Sequence, residues 1–284
     1  MATDVAESTI ELSSEELHSP IDDLPLLKQA LLFAELSKLS YSPPDVVSKA
    51  TAEIGVEHYE FFDRDGAQAY VLANQHDCVV VCRGTEPNEW NDIKADANAL
   101  SVIAETAGKV HRGFKKEVDD LWPRLEHALK DNEKPLWFAG HSLGGAMATI
   151  CAGRCKLAEI RSNPEGLFTF GSPRVGNKRY INFVRLRHYR FVNNNDVVCR
   201  VPPSFFGYRH CGRELYFDAK GSLRDYRSWR RFRDRWYGFF LSLRKGQLDH
   251  LSDHSMARYI EYVKQAIADE ASGKISTKDK DLIP

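Results

Sequence analysis

Two spacings of apolar residues alternate along the chain, one close to every third or fourth position and one at every second. Over residues 24–41, Leu27, Leu31, Ala34 and Leu39 recur with Leu32 and Leu36 beside them. This predicts an amphipathic helix, ended by Ser42-Pro43-Pro44. Residues 45–52 predict a second, short helix. Residues 56–63 and 67–74 read as strands joined at the Asp65-Gly66 turn signal. The run Cys78-Val79-Val80-Val81-Cys82 is nearly all apolar, as expected of a central strand covered on both faces. Phe114, Val118, Leu121, Leu125 and Leu129 then mark one face of a helix that ends at Asp131-Asn132.

Further on, 167–170 and 188–192 read as strands, and 177–186 as a helix. Residues 207–211 and 214–218 look like a hairpin, and 251–268 the last long helix. Strands alternating with helices imply right-handed crossovers and an α/β fold: a mainly parallel central sheet flanked by helices. No internal repeat and no domain-sized linker interrupts the pattern. The expected organisation is a loosely attached arm over 1–23, a single domain over 24–270 and a polar tail over 271–284.

One stretch combines both periods: Leu136-Trp137-Phe138-Ala139-Gly140-His141-Ser142-Leu143-Gly144-Gly145-Ala146-Met147-Ala148. An apolar strand, Gly-x-Ser-x-Gly and a small-residue helix follow one another, which is the order of a nucleophile elbow. Gly140 and Gly144 flank the serine where a Cβ would collide with neighbouring backbone. The helix behind it, expected to run to about 160 with Ala146, Ile150, Leu157 and Ile160 buried, turns its N-terminal dipole toward developing negative charge. The competing reading is a glycine-rich turn whose serine merely caps the helix.

A serine hydroxyl needs a histidine base, and the base needs a carboxylate. In the order serine, acid, histidine, Asp196 is the best acid: it follows a strand end, where ligands of parallel sheets bind. An Asx turn beside Asn193, Asn194 and Asn195 is its bland alternative. His254 opens the last helix and is the preferred base, with His250 the runner-up. His141 precedes the nucleophile, and strand alternation turns it away from Ser142, so it reads as structural. His111 and His210 read as structural too. The oxyanion expects the backbone N–H of Leu143 and a second donor from the loop after an earlier strand. Arg83-Gly84-Thr85 ends the most apolar early strand, making the N–H of Thr85 that candidate; a plain turn with Thr85 as a cap would look the same.

Composition narrows the class. A formal net charge of −1 gives no global field for nucleic acid. No apolar run approaches membrane-spanning length, and the first twenty residues lack the basic start and apolar core of a signal peptide. The expected location is cytoplasmic, with peripheral membrane contact the one variation. Six cysteines then read as buried free thiols, and none is placed with a partner set for zinc. The chemistry calls for no metal and no organic cofactor.

Five blocks in order give the chain a family likeness. They are Arg83-Gly84-Thr85 with Trp90 downstream, His111-x-Gly113-Phe114, Gly140-His141-Ser142-Leu143-Gly144-Gly145, Phe170-Gly171-Ser172-Pro173-Arg174-Val175-Gly176-Asn177, and Asn195-Asp196-Val197-Val198 leading to Val201-Pro202-Pro203. With Asp253-His254 and Tyr259 they resemble the class 3 lipases, the Rhizomucor or filamentous-fungal type, over roughly residues 59–263. The resemblance implies an α/β-hydrolase fold and a Ser142–His254–Asp196 triad, with Thr85 and Leu143 as the oxyanion hole. It also implies a short lid carrying Trp90 and Ile93. The implied activity is that of a carboxylester hydrolase on fatty-acyl esters such as triacylglycerols. The alternatives are a phospholipase or galactolipase on polar lipids, a feruloyl-type esterase, acyl transfer to another alcohol, and a non-catalytic lipid-binding member of the fold.

Two stretches depart from that pattern. Pro87, Asn88, Glu89, Asn91, Asp92 and Lys94 leave the lid with only Trp90 and Ile93 clearly apolar, against a broad oil-facing surface. Residues 222–245 form a basic aromatic insertion. Trp229, Phe232, Trp236, Phe240 and Leu243 share one helical face among seven arginines and Lys245. Such a segment either caps the body with solvated arginines or meets an anionic membrane or lipid-droplet surface. Oligomeric state is not legible.

Overall fold

The computed structural model describes residues 12, 19–84, 100–158, 160–194, 196–224 and 254–277. The oxyanion candidate Thr85, the lid residues Trp90 and Ile93, the runner-up base His250 and residues 225–245 of the basic segment lie outside them.

The long sheet has eight strands in the order β1-β2-β3-β6-β7-β9-β11-β12. β1 (His58–Arg64) and β2 (Ala67–Ala73) form the expected hairpin, and β2 pairs antiparallel with β3 (Cys78–Cys82). From β3 the sheet is parallel through β6 (Leu136–His141), β7 (Pro164–Phe170), β9 (His188–Asn193) and β11 (Arg213–Phe217). β12 (Leu223–Arg224) closes it antiparallel. The central strands are buried on both faces, as their apolar runs require.

Alternation sorts the strand side chains into two cores. Val79, Val81, Trp137, Ala139, Phe168, Phe170 and Phe191 face α1 (Leu26–Leu39), α2 (Pro44–Glu53) and the C-terminal helix α6 (Met256–Ala271). Cys78, Val80, Cys82, Phe138 and Leu167 face α3 (Arg112–Leu129), α4 (Leu143–Cys155) and α5 (Lys178–Val184). The five apolar positions of α3 are all buried on the second side. Under α1, Trp137 donates its ring N–H to Asp77 at 2.8 Å, and the N–H of Ile21 reaches the other oxygen of that carboxylate at 2.9 Å.

Three expectations change. α1 is not a half-exposed amphipathic helix: even Gln29, Glu35 and Ser37 are buried, because β6 covers one side of it and α6 another. α4 stops at Cys155 rather than near 160, and Leu157 is 58% exposed. Its last turn tightens as the N–H groups of Lys156 and Leu157 bond three residues back, to Gly153 and Arg154. The hairpin expected over 207–218 does not form. β10 (Tyr208–Arg209) pairs instead with β8 (Gly176–Asn177), and β11 lies parallel to β9. With β4 (Ser101–Ile103) and β5 (Lys109–His111), β8 and β10 build a second sheet of order β10-β8-β5-β4, in strands too short for a periodic signal. All six cysteines are buried free thiols. No helix among the described residues is long and apolar enough to cross a membrane.

Candidate active site

The site is assembled at the carboxyl ends of β3, β6, β7 and β9. Ser142 sits between β6 and α4 with φ 60° and ψ −130°, a positive φ that a non-glycine residue adopts only under constraint from its surroundings. The constraint is visible. The Ser142 N–H donates to the carbonyl of Phe170 at 2.9 Å, tying the elbow to β7, and the Ser142 carbonyl accepts from the N–H of Gly145 at 3.0 Å. On the other side, a Cβ at Gly144 would strike the Cys82 carbonyl oxygen and lie 2.8 Å from Gly84 N. The end of β3 is thereby pressed directly onto the first turn of α4. At Gly84 a Cβ would lie 3.3 Å from the Ser142 Cβ, so the end of β3 runs directly beside Ser142.

The three residues expected to work together are in register. Ser142 Oγ lies 2.8 Å from His254 Nε2, and His254 Nδ1 lies 2.9 Å from Asp196 Oδ2. The carboxylate accepts from Nδ1–H, which leaves Nε2 as the acceptor for the serine hydroxyl. Ser142, Asp196 and His254 are all buried, so this chain of bonds works in low dielectric. Asp196 Oδ1 accepts the N–H of Val198 at 2.9 Å, and Oδ2 also accepts the hydroxyl of Tyr259 at 2.6 Å. Burial pushes the Asp196 carboxyl up, but the charge and hydrogen bond of His254 and the Tyr259 hydroxyl outweigh it and hold it below the usual range. The acid therefore stays ionised. Leu143, the first residue of α4, follows the nucleophile, and an N–H at that position has no acceptor within its own helix.

Gly171, at φ 61°, shows how tightly acid and base are held. A Cβ there would lie 2.8 Å from Asp196 Oδ2 and 2.9 Å from His254 Nδ1. Only glycine leaves room for the carboxylate to meet the imidazole over the end of β7.

His141 is a hydrogen-bonded structural histidine, and its partners lie beside the site. Its parity with Trp137 and Ala139 does turn it from Ser142, but toward the face from which α6 delivers His254. Its Nε2–H donates to the His254 carbonyl at 2.7 Å, and its Nδ1 accepts the Tyr41 hydroxyl at 2.9 Å. The two imidazoles lie 4.5 Å apart between centroids. Burial first, then the neighbouring His254, pushes the His141 pKa down to about 3, so the ring stays neutral beside His254. Tyr41 lies 100 positions before its partner, and its own sequence gives no sign of it. His210 donates to the Cys199 carbonyl at 2.7 Å, and His111 packs on Phe114 with centroids 4.3 Å apart; both are structural, as expected. Among the described residues no group of three His, Cys, Asp or Glu side chains is placed to hold a metal.

Residues 79–206 match the family model of class 3 lipases. Over 177 residues the chain is 37% identical to secreted mono- and diacylglycerol lipase 1 of Fusarium solani, covering 57% of this chain and 51% of that protein. The chain spans about half the length, or less, of the curated relatives it matches. Among solved structures, the triacylglyceride lipase of Rhizomucor miehei superposes with a TM-score of 0.59 at 24% identity, over 67% of this chain and 80% of that one, a likeness of fold. A triacylglycerol lipase with a serine protease triad as its catalytic centre superposes at 0.55 with 26% identity, over 66% and 78%. The strand end beside Ser142, the elbow and the loop of Asp196 all fall inside the matched segment, in the order in which the fold brings them together, and over that segment the chain is similar to the class 3 lipases.

Proposed function

We propose that this protein is a serine carboxylester hydrolase that cleaves fatty-acyl esters, triacylglycerols among them, through an acyl-enzyme on Ser142. The observation that carries the reading is the unbroken hydrogen-bond chain Ser142 Oγ–His254 Nε2, His254 Nδ1–Asp196 Oδ2. In this mechanism Ser142 Oγ attacks the ester carbonyl carbon while its proton passes to His254 Nε2. Asp196 stabilises the imidazolium through Nδ1–H. The carbonyl oxygen becomes an oxyanion at the N–H of Leu143, with Thr85 as the second donor; one such donor is worth about 3–4 kcal/mol at the transition state. Collapse breaks the ester C–O bond, and the alcohol leaves with the proton from His254. Water then gives its proton to the same nitrogen and attacks the acyl carbon; the acyl C–O bond to Ser142 breaks, His254 returns the proton to Ser142 Oγ, and the fatty acid leaves. All the proton traffic runs through one imidazole, so the cycle uses no metal and no organic cofactor.

The reading extends to one hydrolase domain over 24–270, a lid over Trp90 and Ile93, and a cytoplasmic protein that meets lipid at a surface. Residues 222–245 are the segment proposed for that peripheral contact, on the strength of their basic aromatic pattern.

A panel of p-nitrophenyl esters, triacylglycerols and phospholipids, assayed with wild type and Ser142→Ala, tests the reaction and its substrate class. Fatty-acyl ester turnover in the wild type and none in the variant is the expected result. A folded wild type that fails to label at Ser142 with a serine-reactive phosphonate would sink the enzyme reading and leave a lipid-binding member of the fold.

A further inference from the structure

Asp196 Oδ2 takes two donors, not one. His254 Nδ1–H approaches at 2.9 Å and the Tyr259 hydroxyl at 2.6 Å, the shorter of the two. The same Tyr259 oxygen accepts the N–H of Asn193 at 3.0 Å, the last residue of β9 and three before the acid. Tyr259 belongs to α6, five residues after His254, and is fully buried against Phe170 and His141, with ring centroids 6.1 Å away in each case. One phenol therefore joins the strand that presents the acid, the acid itself and the helix that presents the base.

Taking the hydrolytic reading of Ser142 as its basis, we propose that Tyr259 is a positioning residue of the site: its hydroxyl fixes the orientation of the Asp196 carboxylate and sets how strongly that carboxylate holds the His254 imidazolium. A short hydrogen bond from a neutral donor spreads the carboxylate charge over a third group, so less of it is concentrated on His254 Nδ1. The base is then kept ready to return its proton to the leaving alcohol. Burial, followed by the charge of Asp196, pushes the phenol well above its ordinary pKa, so it remains a donor wherever the enzyme works. The other titratable groups facing the carboxylate are His254, the neutral His141 and the Cys199 thiol, which burial and Asp196 hold protonated. Of these three, His254 is itself the other donor to Oδ2.

The test is the pH dependence of kcat/KM for a soluble p-nitrophenyl ester in wild type, in Tyr259→Phe and in protein carrying 3-fluorotyrosine at position 259. Phenylalanine keeps the ring and deletes the donor. Fluorotyrosine keeps the bond and makes the hydroxyl a stronger donor, so this arm decides if the phenylalanine variant does not fold. In Tyr259→Phe, kcat is expected to fall about ten-fold with KM nearly unchanged. The acid limb is expected to move up by about half a pH unit or more, because a more concentrated carboxylate charge favours the imidazolium. In the fluorotyrosine protein the limb moves the other way. Acid limbs that coincide with wild type in the folded variants would overturn the proposal, whatever happens to stability. Failure of the wild type itself to label at Ser142 with a phosphonate would instead bring down the hydrolytic reading on which it stands.

Discussion

His141 Nε2–H is bonded to the backbone carbonyl of His254 at 2.7 Å, so the residue before Ser142 holds the main chain of His254. The bond spans 113 positions and ties the end of β6 to the start of α6. His141→Phe keeps a ring of similar size and removes the donor. The variant is expected to lose about 1–3 kcal/mol in urea unfolding and to lower kcat more than it raises KM. Unchanged urea midpoints would show that the bond does not anchor α6.

Acid should destabilise the protein well before its carboxylates titrate. Burial, aided by His254 and Arg190 respectively, pushes His141 and His188 down to about 3, and burial holds His210 well below its ordinary value. Unfolded histidine takes up a proton near pH 6.5, whereas these three stay neutral when folded. Below about pH 6.5 the unfolded chain binds protons that the native state refuses, so stability falls as pH falls toward about 3. Each histidine contributes a slope of about 1.4 kcal/mol per pH unit, or about 4 for the three together. Asp196, whose carboxyl is depressed, adds a loss only at the acidic end of that window. Urea midpoints at pH 7, 6, 5 and 4.5 read this directly; a flat profile across them would refute it.

The elbow stores strain at Ser142, whose φ is 60°. Ser142→Gly relaxes the backbone, whereas Ser142→Ala keeps the strained Cβ. The glycine variant is expected to be the more stable of the two by about 1 kcal/mol, after the extra entropy of its unfolded chain is subtracted. Both should lose nucleophilic activity, by about ten thousand-fold or more. Thermal unfolding of the pair checks the order.

Gly171→Ala tests how closely acid and base are fitted. The new methyl would press on Asp196 Oδ2 and the His254 ring at a φ of 61°. An expected stability cost of about 1–3 kcal/mol accompanies a kcat fall of about a hundred-fold, since displacements near 1 Å are enough to break the alignment. Wild-type kcat in this variant would mean that the site repacks freely.

The linear sequence determined the elements whose signals are local. Val79 to Val81 announce a strand buried on both faces, Phe114 to Leu129 announce a one-sided helix, and Gly140 to Gly145 announce the elbow; short-range sterics and side-chain spacing encode all three. The order Ser142, Asp196, His254 was legible for a related reason, because chain order and strand ends limit the choice of acid and base. Tertiary structure alone decided the bonds between distant segments. Nothing near Tyr41 points to His141, and nothing in 207–218 says that β10 leaves β11 for β8, because a strand's spacing does not name its hydrogen-bonding partner. The full burial of α1 likewise required the later arrival of α6. Alternation correctly turned His141 away from Ser142, but a rule about one strand cannot say what the other face meets. Packing put His254 there, with the Tyr259 hydroxyl bonded to Asp196.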